Sequence, residues 1–591
     1  MDREASIVSD LSCWATMAVF AIGLIVLAVH LKEVQVVASP DYNYEKARQS
    51  VRRVQTAGMR GRILDRRGRI LDRRGRVLAD NRRCVSIVCN AAAYQKRSWD
   101  ATTEAITEAI RQIGRVIGRD THLTERSIRR HVNQSLAIPL VAWRDLTEEE
   151  LARFAERERL YPGFSIVESE ERHYPFGSLA SHLIGYVGRD RGSGDAGDEK
   201  FNFRDFELYG RSGLELYYNG FLRGVPGERK LLVDARGFTE REWVVSEPRR
   251  GPDLMLSVDA DIQRVAEAQL KGVRGACVVM DPRDGSVLAF ASSPSYNLND
   301  FVPTLSQEVY DRYLNDPAKP LLNRASGGTY APGSTFKPIT ALAGLSMGYP
   351  DNEQYDCTGA FELGNMKLHC ARRWGHGPIS VRTALKVSCN TFFCNLGCDV
   401  GTNAVISAAK AFGLGSKTGI DFTDDRAGIV PDDEWKRKTY GERWYPGDLA
   451  QMSIGQGMLL ASPLQMAVVA GAIGTGYVVT PHLKAGAEVV RRPLPFDEHS
   501  LAVVREGMRQ VVEGGSGERG GDGVEVSVAG KTGTAEFGPM SNRRKNTWFI
   551  AYAPADRPRA AVALIVEDGE SGGGTAAPRV AEILKRMFNA R

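Results

Sequence analysis

The sequence has no excess of either charge, since 77 lysines and arginines stand against 72 aspartates and glutamates for a net charge of +5. So balanced a composition does not predict a protein that binds nucleic acid, and any anionic partner needs a local basic site. A cleaved leader is not indicated either, because no A-x-A pattern follows a short apolar core near the N-terminus. At 591 residues the chain exceeds the size of one core, so we expect several domains.

The long apolar run lies at residues 11–31, "LSCWATMAVFAIGLIVLAVHL", which contains no Asp, Glu, Lys or Arg. A helix of this length spans a bilayer. A helix that packs on the core of a soluble domain has a polar face toward water, and this run has none. We therefore expect a single-pass signal anchor after a short cytoplasmic tail, residues 1–10. The flanking charges weakly favour the opposite orientation, since acidic residues outnumber Arg3 before the run and Lys32 follows it. For the choice of orientation, we give the chemical motifs described below more weight than the flanking charges.

Two regions of different character follow the anchor. Residues 32–250 combine helical stretches near 103–118 and 146–160 with many Gly-rich turns. Residues 254–591 have strand-like runs at both ends and helices between them, the runs being "LMLSVD", "ACVVMDPRDGSVLAFASS", "NTWFIAYAP" and "AAVALIVEDG". This order predicts an α+β domain whose sheet is closed by the two ends of the domain.

The first chemical motif is the S-x-x-K of "GGTYAPGSTFKPITALAGL", formed by Ser334 and Lys337. On a helix this spacing puts both side chains on one face. Pro338 is tolerated only in the first turn, so Ser334 is expected at the helix N-terminus, where negative charge is stabilised. A neutral lysine beside it would accept the serine proton. By itself the motif has little specificity, because surface pairs of this spacing are common.

Two further motifs raise the specificity. "VSCNTFF" supplies Ser388 and Asn390 in an S-x-N pattern, and "VAGKTGTAEF" supplies Lys531, Thr532, Gly533 and Thr534 on a predicted strand. All three motifs lie in one domain in the order found in serine enzymes that react with penicillin.

With these motifs in place, the sequence resembles a class B penicillin-binding protein, most closely the elongation-type penicillin-binding protein 2. The likeness covers most of the chain and includes "HYPFGSLASHLIGYVG", "GRSGLELYYNGFLRGVPG", "SIGQGMLLASPLQMA" and "VEDGESGGGTAAP". It implies a membrane anchor at 11–31, an elongated pedestal or dimerisation domain at 32–250, and a transpeptidase domain at 254–591. The last is expected to have an antiparallel sheet flanked by helices, as in serine β-lactamases. The implied activity is that of a peptidoglycan D,D-transpeptidase that crosslinks stem peptides during cell elongation, without a cofactor for the chemistry.

The resemblance also implies catalytic roles. Ser334 attacks the penultimate D-Ala carbonyl of a stem pentapeptide, and Lys337 is the base that takes its proton. Ser388 relays a proton to the leaving amine, while Asn390 holds the amide of the donor peptide. Lys531 keeps the local field positive. β-Lactams would acylate the same serine as mimics of the substrate.

Substrate contacts are implied on the third motif. The hydroxyls of Thr532 and Thr534, on either side of Gly533, match positions that hold the substrate carboxylate. The backbone N–H groups of Ser334 and Thr534 would form the oxyanion hole, a device whose single donors contribute about 3 to 4 kcal/mol in a protease.

Nine cysteines are many for a domain outside the membrane, and five of them lie between residues 357 and 398. Cys357, Cys370, His376 and Cys389 have the spacing C-x12-C-x5-H-x12-C, which suits a closed Cys3His zinc site. Disulfides or small core residues are the alternatives. Elongation-type relatives place a metal between S-x-x-K and S-x-N, with the His of "WGHG" and the Cys of "SCN" among its ligands. The resemblance therefore favours a structural Zn²⁺ in this loop.

Other functions use the same motifs. A division-type class B transpeptidase differs in its cellular role, a D,D-carboxypeptidase or β-lactamase lets water deacylate Ser334, and a penicillin sensor or scaffold does no synthesis. The long pedestal argues against a hydrolase, and the intact motifs argue against a scaffold. A bifunctional class A enzyme needs a glycosyltransferase motif similar to E-D-x-x-F-x-x-H-x-G, and none occurs before residue 250.

The partners implied by the resemblance are stem peptides that end in D-Ala-D-Ala, β-lactams, a RodA-like glycosyltransferase and other cell-wall elongation proteins. The implied location is the inner (cytoplasmic) membrane, with the catalytic domain in the periplasm.

The stretch "RGRILDRRGRILDRRGRVLAD" at residues 60–80, here named the arginine repeat, restates a seven-residue unit. Its glycines argue against a helix, and Asp-x-x-Gly is typical of a type I turn. In a strand, a shift of seven residues turns the inward-facing side chains outward, because seven is odd. The two copies therefore do not occupy the same position in the sheet at once, and one of them is extra. The family pattern R-G-x-I-x-D-R-x-G-x-x-L-A fits Arg67 to Ala79 without a gap, so Arg60 to Arg66 is predicted to be the added copy. Contact with lipid phosphate is the alternative use of these arginines.

Overall fold

The computed structural model describes residues 2–37, 50–56, 58–65, 77–134, 138–190, 202–204, 207–234, 239–302 and 305–589. The first element is the helix Asp2–Lys32, which continues into a π-helical turn at Glu33–Val37. Its segment Cys13–Val36 is long and apolar enough to cross a membrane. Among the residues described, it is the one helix that meets this test. The N-terminus is therefore suited to a single-pass anchor, as the sequence predicts.

Two sheets organise the pedestal. The first contains, in spatial order, Thr239–Ser246, Gly227–Val233, Val51–Thr56 and Asn202–Arg204. The second contains Leu254–Met255, Ile63–Leu64, Val77–Cys89 and Leu140–Trp143, with Phe164–His173 paired to the other edge of Val77–Cys89. A small pair joins Val187–Asp190 to Glu207–Gly210. Sequence patterns did not predict these sheets, because partners such as Val51 and Leu232 are far apart in the chain.

Two pedestal helices, Glu125–Gln134 and Glu148–Ala155, pack against one long amphipathic helix. Trp99–Ile117 is capped by the Ser98 side chain and ends at Gly118, which has φ 78°. It buries isoleucines at helical spacing, Ile106, Ile110, Ile113 and Ile117. The other helices of this region are Glu125–Gln134, Glu148–Ala155, Ser181–Ile184, Gly213–Tyr217 and Asn219–Leu222.

The arginine repeat corrects one prediction. Arg60 is buried, and its Nε and Nη2 donate to the Glu215 carboxylate at 3.1 and 2.8 Å. Ile63 and Leu64 form a strand paired with Ala79 and Val77. The first copy therefore fills the slot, and the prediction that it is the added copy is wrong. The two copies are identical in sequence, so only the buried contacts show which copy occupies the slot. Residues 66–76 lie outside the described part of the chain.

A five-stranded antiparallel sheet is the centre of the transpeptidase domain. Its spatial order is Val287–Ser293, Gly275–Met280, Ala560–Glu567, Arg544–Ala553 and Ala529–Phe537. The two ends of the domain thus meet in one sheet, and the predicted α+β fold is confirmed.

Both faces of this sheet are buried. Trp548 and Ile550 point into one hydrophobic cluster, and Phe549 and Ala551 point into a second, which is the alternation a strand requires. Helices cover both faces, and those that contact the sheet include Ala260–Gln269, Pro463–Thr475, Glu498–Val512 and Ala577–Phe588. The other helices of this domain are Gln307–Asn315, Lys337–Ser346, Val381–Lys386, Asn390–Val400, Thr402–Ala411, Asp433–Tyr440 and Pro446–Ser453. Three small β-pairs complete the domain, namely Tyr355–Cys357 with Gly377–Ile379, Ala360–Leu363 with Met366–His369, and Tyr477–Val479 with Arg491–Pro493.

Candidate active site

Ser334 lies where the sequence predicts, at the start of a helix. The turn Gly333–Phe336 leads into Lys337–Ser346, in which Pro338 occupies the first turn. Proline is tolerated there because that N–H has no partner within the helix. Ser334 itself is half-buried.

Two glycines allow this turn to touch the strand of the third motif. Gly333 has φ +56°, and a Cβ on it would lie 2.9 Å from Thr534 O. A Cβ on Gly533 would lie 2.8 Å from Pro332 O. Both distances are shorter than a real side chain permits, so the approach of the Ser334 turn to the strand requires glycine at both positions.

Lys337 is fully buried and bonded to the second motif. Its Nζ donates to Ser388 O and to Asn390 Oδ1, both at 2.7 Å. It also lies 5.6 Å from the centroid of the Phe393 ring. Burial lowers the pKa of Lys337 to about 8, because the charged form loses its water. An amine with this pKa is partly neutral near pH 7 and can accept a proton.

Ser388 lies between two lysines. Its hydroxyl accepts hydrogen bonds from Lys531 Nζ at 2.8 Å and from Lys337 Nζ at 3.3 Å. Lys531 is completely buried, and burial together with the charge of Lys337 holds its pKa well below the usual range. Hydrogen bonds thus join the lysine of the first motif, both polar residues of the second and the lysine of the third.

The predicted substrate-binding residues of the third motif lie on the edge strand Ala529–Phe537 of the sheet. The hydroxyls of Thr532 and Ser516 are 2.9 Å apart, and Gly572 N–H donates to Thr534 Oγ1 at 3.3 Å. Thr534 is half-buried, whereas Thr532 is buried. Two hydroxyls therefore lie on the strand that faces the Ser334 turn.

Some residues of the site were not singled out from the sequence. Gly455 O accepts the Gly333 N–H at 2.8 Å, and Gln456 Nε2 donates to Thr534 O at 3.3 Å. These two residues belong to "SIGQG", which the sequence analysis used only as a family likeness. A Gly-x-Gly segment just before a capped apolar helix was the available signal for a close backbone approach.

The four predicted metal ligands converge. The thiol sulfurs of Cys357, Cys370 and Cys389 and a ring nitrogen of His376 all lie within 4.8 Å of one another. His376 Nδ1 is 3.4 Å from Cys357 Sγ and 3.5 Å from Cys370 Sγ, and Cys370 Sγ is 3.8 Å from Cys389 Sγ. Zinc bonds of about 2.3 Å to sulfur and about 2.0 Å to nitrogen give tetrahedral edges of about 3.8 Å and about 3.5 Å. The donor set therefore fits a tetrahedral Zn²⁺.

The thiols of this cluster are not ordinary core cysteines. The hydrogen bond shared with Cys389 lowers the pKa of Cys370 to about 4, and the same contact raises the pKa of Cys389. Thiolate is the form that binds metal. By contrast, burial raises the pKa of Cys394 to about 12, and Cys398 is half-buried outside the cluster. All nine cysteines are free thiols.

The cluster is continuous with the active site. Cys389 lies between Ser388 and Asn390, and its sulfur accepts the Phe392 N–H at 3.4 Å, which caps the helix Asn390–Val400. Asn390 Nδ2 donates to the carbonyl of His369, the neighbour of Cys370, at 2.8 Å. A metal held by these four residues would fix the S-x-N residues from both sides.

Comparison with known proteins agrees with this site. The family model of the penicillin binding protein transpeptidase domain matches residues 275–585, and that of the penicillin-binding protein dimerisation domain matches residues 60–256.

Several relatives cover most of the chain. The peptidoglycan D,D-transpeptidase MrdA of Acinetobacter baumannii is 36% identical over 460 residues, which is 73% of this chain and 68% of the relative. MrdA of Escherichia coli K12 is 31% identical over 601 residues, which is 95% of this chain and 91% of the relative.

Solved structures share the architecture as well. The complex between penicillin-binding protein 2 and MreC from Helicobacter pylori matches with a TM-score of 0.77 and 26% identity, covering 91% of this chain and 98% of that chain. A peptidoglycan synthase complex that coordinates polymerization and crosslinking matches with a TM-score of 0.70 and 28% identity, covering 98% of both chains. The chain therefore belongs to the class B penicillin-binding proteins, and it is an elongation-type peptidoglycan D,D-transpeptidase of the serine class.

Proposed function

We propose that Ser334 is the nucleophile of this transpeptidase. Its hydroxyl attacks the penultimate D-Ala carbonyl of a stem pentapeptide, the C–N bond to the terminal D-Ala breaks, and an ester to Ser334 remains. An amine of a neighbouring stem peptide then attacks the ester, releases Ser334 and forms the crosslink. The observation that carries the proposal is that two buried lysines, Lys337 one helical turn from this serine and Lys531 on the edge strand, both donate to Ser388 Oγ.

Lys337 serves as the base in this proposal. Its lowered pKa favours a neutral amine, which takes the Ser334 proton as the acyl bond forms. Ser388 Oγ, in contact with both lysines, then passes a proton to the nitrogen of the leaving D-Ala. Lys531 donates to Ser388 Oγ at 2.8 Å, and in its charged form it keeps the field at Ser388 and at the substrate positive.

Substrate contacts complete the site. Thr532 and Thr534 hydroxyls bind the terminal carboxylate beside Gly533, and Asn390 holds the amide of the donor peptide. The backbone N–H groups of Ser334 and Thr534 stabilise the oxyanion, in a geometry that depends on the glycines at 333 and 533.

Cys357, Cys370, His376 and Cys389 would hold a structural Zn²⁺. Such an ion, when bound, rigidifies its loop and neutralises the thiolates, and it takes no part in acyl transfer. The fit of the donor distances supports this assignment.

The membrane orientation of this protein is proposed from its anchor and its substrate, and its protein partners are proposed from similar structures. Because the substrate is the cell wall, the catalytic domain is placed outside the cytoplasm, with the 1–10 tail inside. The titles of the similar structures name MreC and a polymerising synthase complex, so we place this chain beside a RodA-like glycosyltransferase and an MreC-type scaffold. A phosphatase reporter fused after Arg591, active only outside the cytoplasm, tests the orientation, and an inactive fusion would reverse it.

Fluorescent penicillin labelling of Ser334→Ala tests the nucleophile. We expect no covalent label on this variant and full label on Ser346→Ala, whose serine lies at the other end of the same helix. A crosslinking assay with lipid-linked substrate and a partner polymerase then separates the functions. Equal labelling of Ser334→Ala and the unchanged protein would contradict the assignment, and label that is rapidly hydrolysed would favour the β-lactamase alternative.

A further inference from the structure

Trp374 is the most exposed large apolar side chain that the structure describes, with 77% of its surface accessible. It lies in the segment Ala371–Gly375, between two members of the cysteine and histidine cluster, Cys370 and His376. A single exposed apolar side chain is ordinary at a protein surface, so the ring points to a ligand only together with its rigid support and the cations beside it.

The loop that carries this ring is held firmly. Gly375 N–H donates to Arg372 O, and His376 N–H donates to Cys357 O at 2.9 Å. A Cβ on Gly375 would lie 1.9 Å from Cys357 O, so the loop packs backbone against backbone on the preceding strand. The ring is thus presented on a fixed support, which lowers the entropy lost when a ligand binds.

Two cations flank the ring. The Arg372 guanidinium lies 5.4 Å from a Trp374 ring centroid, and Arg373 is exposed beside it. Neither arginine forms an ion pair with any residue in the described part of the chain. The patch therefore offers one aromatic face and free guanidinium donors, which suits a ligand with C–H faces, hydroxyls and carboxylates.

The patch is close enough to the reaction to matter. Asn390 Nδ2 donates a hydrogen bond to His369 O. Trp374 lies five residues after His369, so at most about 17 Å of extended chain separates Trp374 from the residue that Asn390 contacts. About four stem-peptide residues separate a reacting D-Ala carbonyl from the sugar that bears the peptide, which is about 14 Å when extended. A donor peptide bound at Asn390 can thus place its own glycan at this loop.

We infer that Trp374, with Arg372 and Arg373, binds the glycan strand that carries the donor stem peptide. A sugar ring stacks on the indole and its polar groups meet the guanidinium donors. A protein partner suits the patch less well, because stable protein interfaces bury roughly 1,200 Å² or more and this patch is a single ring without apolar neighbours. The inference rests on the proposed function, since it assumes that the peptide enters along Asn390.

The direct test measures binding of peptide-free glycan strands by co-sedimentation, in the Ser334→Ala background so that no chemistry contributes. Trp374→Ala is expected to weaken binding by about fivefold or more, and Trp374→Phe to stay within about twofold of Trp374. Trp243→Ala, an exposed tryptophan of the pedestal, is the matched control and is expected to change nothing.

The kinetic test keeps Ser334. Trp374→Ala is expected to lower kcat/KM for glycan-borne pentapeptide by about fivefold, with penicillin acylation and turnover of free pentapeptide within about twofold. Unchanged glycan binding by Trp374→Ala, or an equal loss with free peptide, would overturn the inference. If Ser334 is not the nucleophile, Ser334→Ala keeps its penicillin label while the sedimentation result stands, so the two failures are distinguishable.

Discussion

Ser388 is the residue at which the three motifs meet. It has φ +57°, a left-handed conformation that is uncommon for a residue with a Cβ, and both its carbonyl and its hydroxyl accept hydrogen bonds from lysine. The backbone strain places Ser388 Oγ between two ammonium groups. Because two buried like charges disfavour each other, the arrangement favours a neutral amine at one of them.

The pH dependence of acylation follows from Lys337. The pKa of this base is lowered to about 8, so its neutral fraction grows as pH rises through that value. The second-order rate of penicillin acylation is expected to increase about tenfold per unit below roughly pH 7.5 and to level off above about pH 8.5. Stopped-flow measurement with a chromogenic β-lactam, at constant ionic strength, checks this. A rate that is flat from pH 6.5 to 9 would remove Lys337 from the role of base.

Sequence reasoning located the residues with distinctive chemistry. Ser334, Lys337 and the metal-ligand set were predicted because three motifs in one order, and a resemblance carried by them, add specificity that the S-x-x-K spacing alone lacks. The Gly-x-Gly segment was the only sequence signal for the contact of Gly455, and the supporting amide of Gln456 leaves no compositional trace.

At the scale of elements, the hairpin Ala360–Leu363 with Met366–His369 and the helix Asn390–Val400 hold the S-x-N residues between them. Their link consists of the Asn390 bond to His369 and the cysteine and histidine cluster. The strand Ala560–Glu567 was predictable because its sequence is almost continuously apolar and it is buried on both faces. The pedestal strand Thr239–Ser246 was not, because it is exposed along nearly its whole length and shows no apolar alternation.

Removal of a cluster ligand tests this link. Cys370→Ser is expected to reduce bound zinc from about one per chain and to lower the Tm of the catalytic domain by about 4 °C or more, since a metal that binds the folded state stabilises it. Metal analysis and calorimetry measure the two effects. Cys398→Ser, outside the cluster, serves as the control and is expected to keep both values. A purified protein with no zinc and an unchanged Tm in Cys370→Ser would show that these thiols are plain core residues.

At the scale of the molecule, a buried ion triad joins distant parts of the chain. Glu215, fully buried, accepts from Arg60 at 2.8 Å and from Arg172 at 2.7 Å. Ile63, next to this triad, belongs to the same hydrophobic cluster as Phe336, beside the nucleophile. The base of the pedestal and the catalytic domain therefore share one core.

The identical copies of the arginine repeat predict an unusual mutational pattern. Glu215→Ala strands two buried guanidiniums and is expected to lower the free energy of unfolding by about 3 to 5 kcal/mol. Arg60→Ala alone is expected to cost less, because Arg67 begins an identical segment that can enter the slot instead. The double variant Arg60→Ala with Arg67→Ala is expected to cost more than Arg60→Ala alone, although Glu215 keeps its pair with Arg172. Denaturant unfolding followed by pedestal fluorescence measures all three, and a single Arg60→Ala as damaging as the double would show that the slot accepts only the first copy.

The same repeat has a genetic consequence. Deleting residues 61–67 or residues 67–73 leaves one and the same amino-acid sequence, "RGRILDRRGRVLAD", because the units are identical. That shortened chain keeps the arginine, the glycine and the isoleucine that the slot requires, with five residues between its leucine and Val77. An in-frame loss of seven codons at either position therefore yields the same protein and keeps the residues that fill the slot, so selection on the protein does not distinguish the two events.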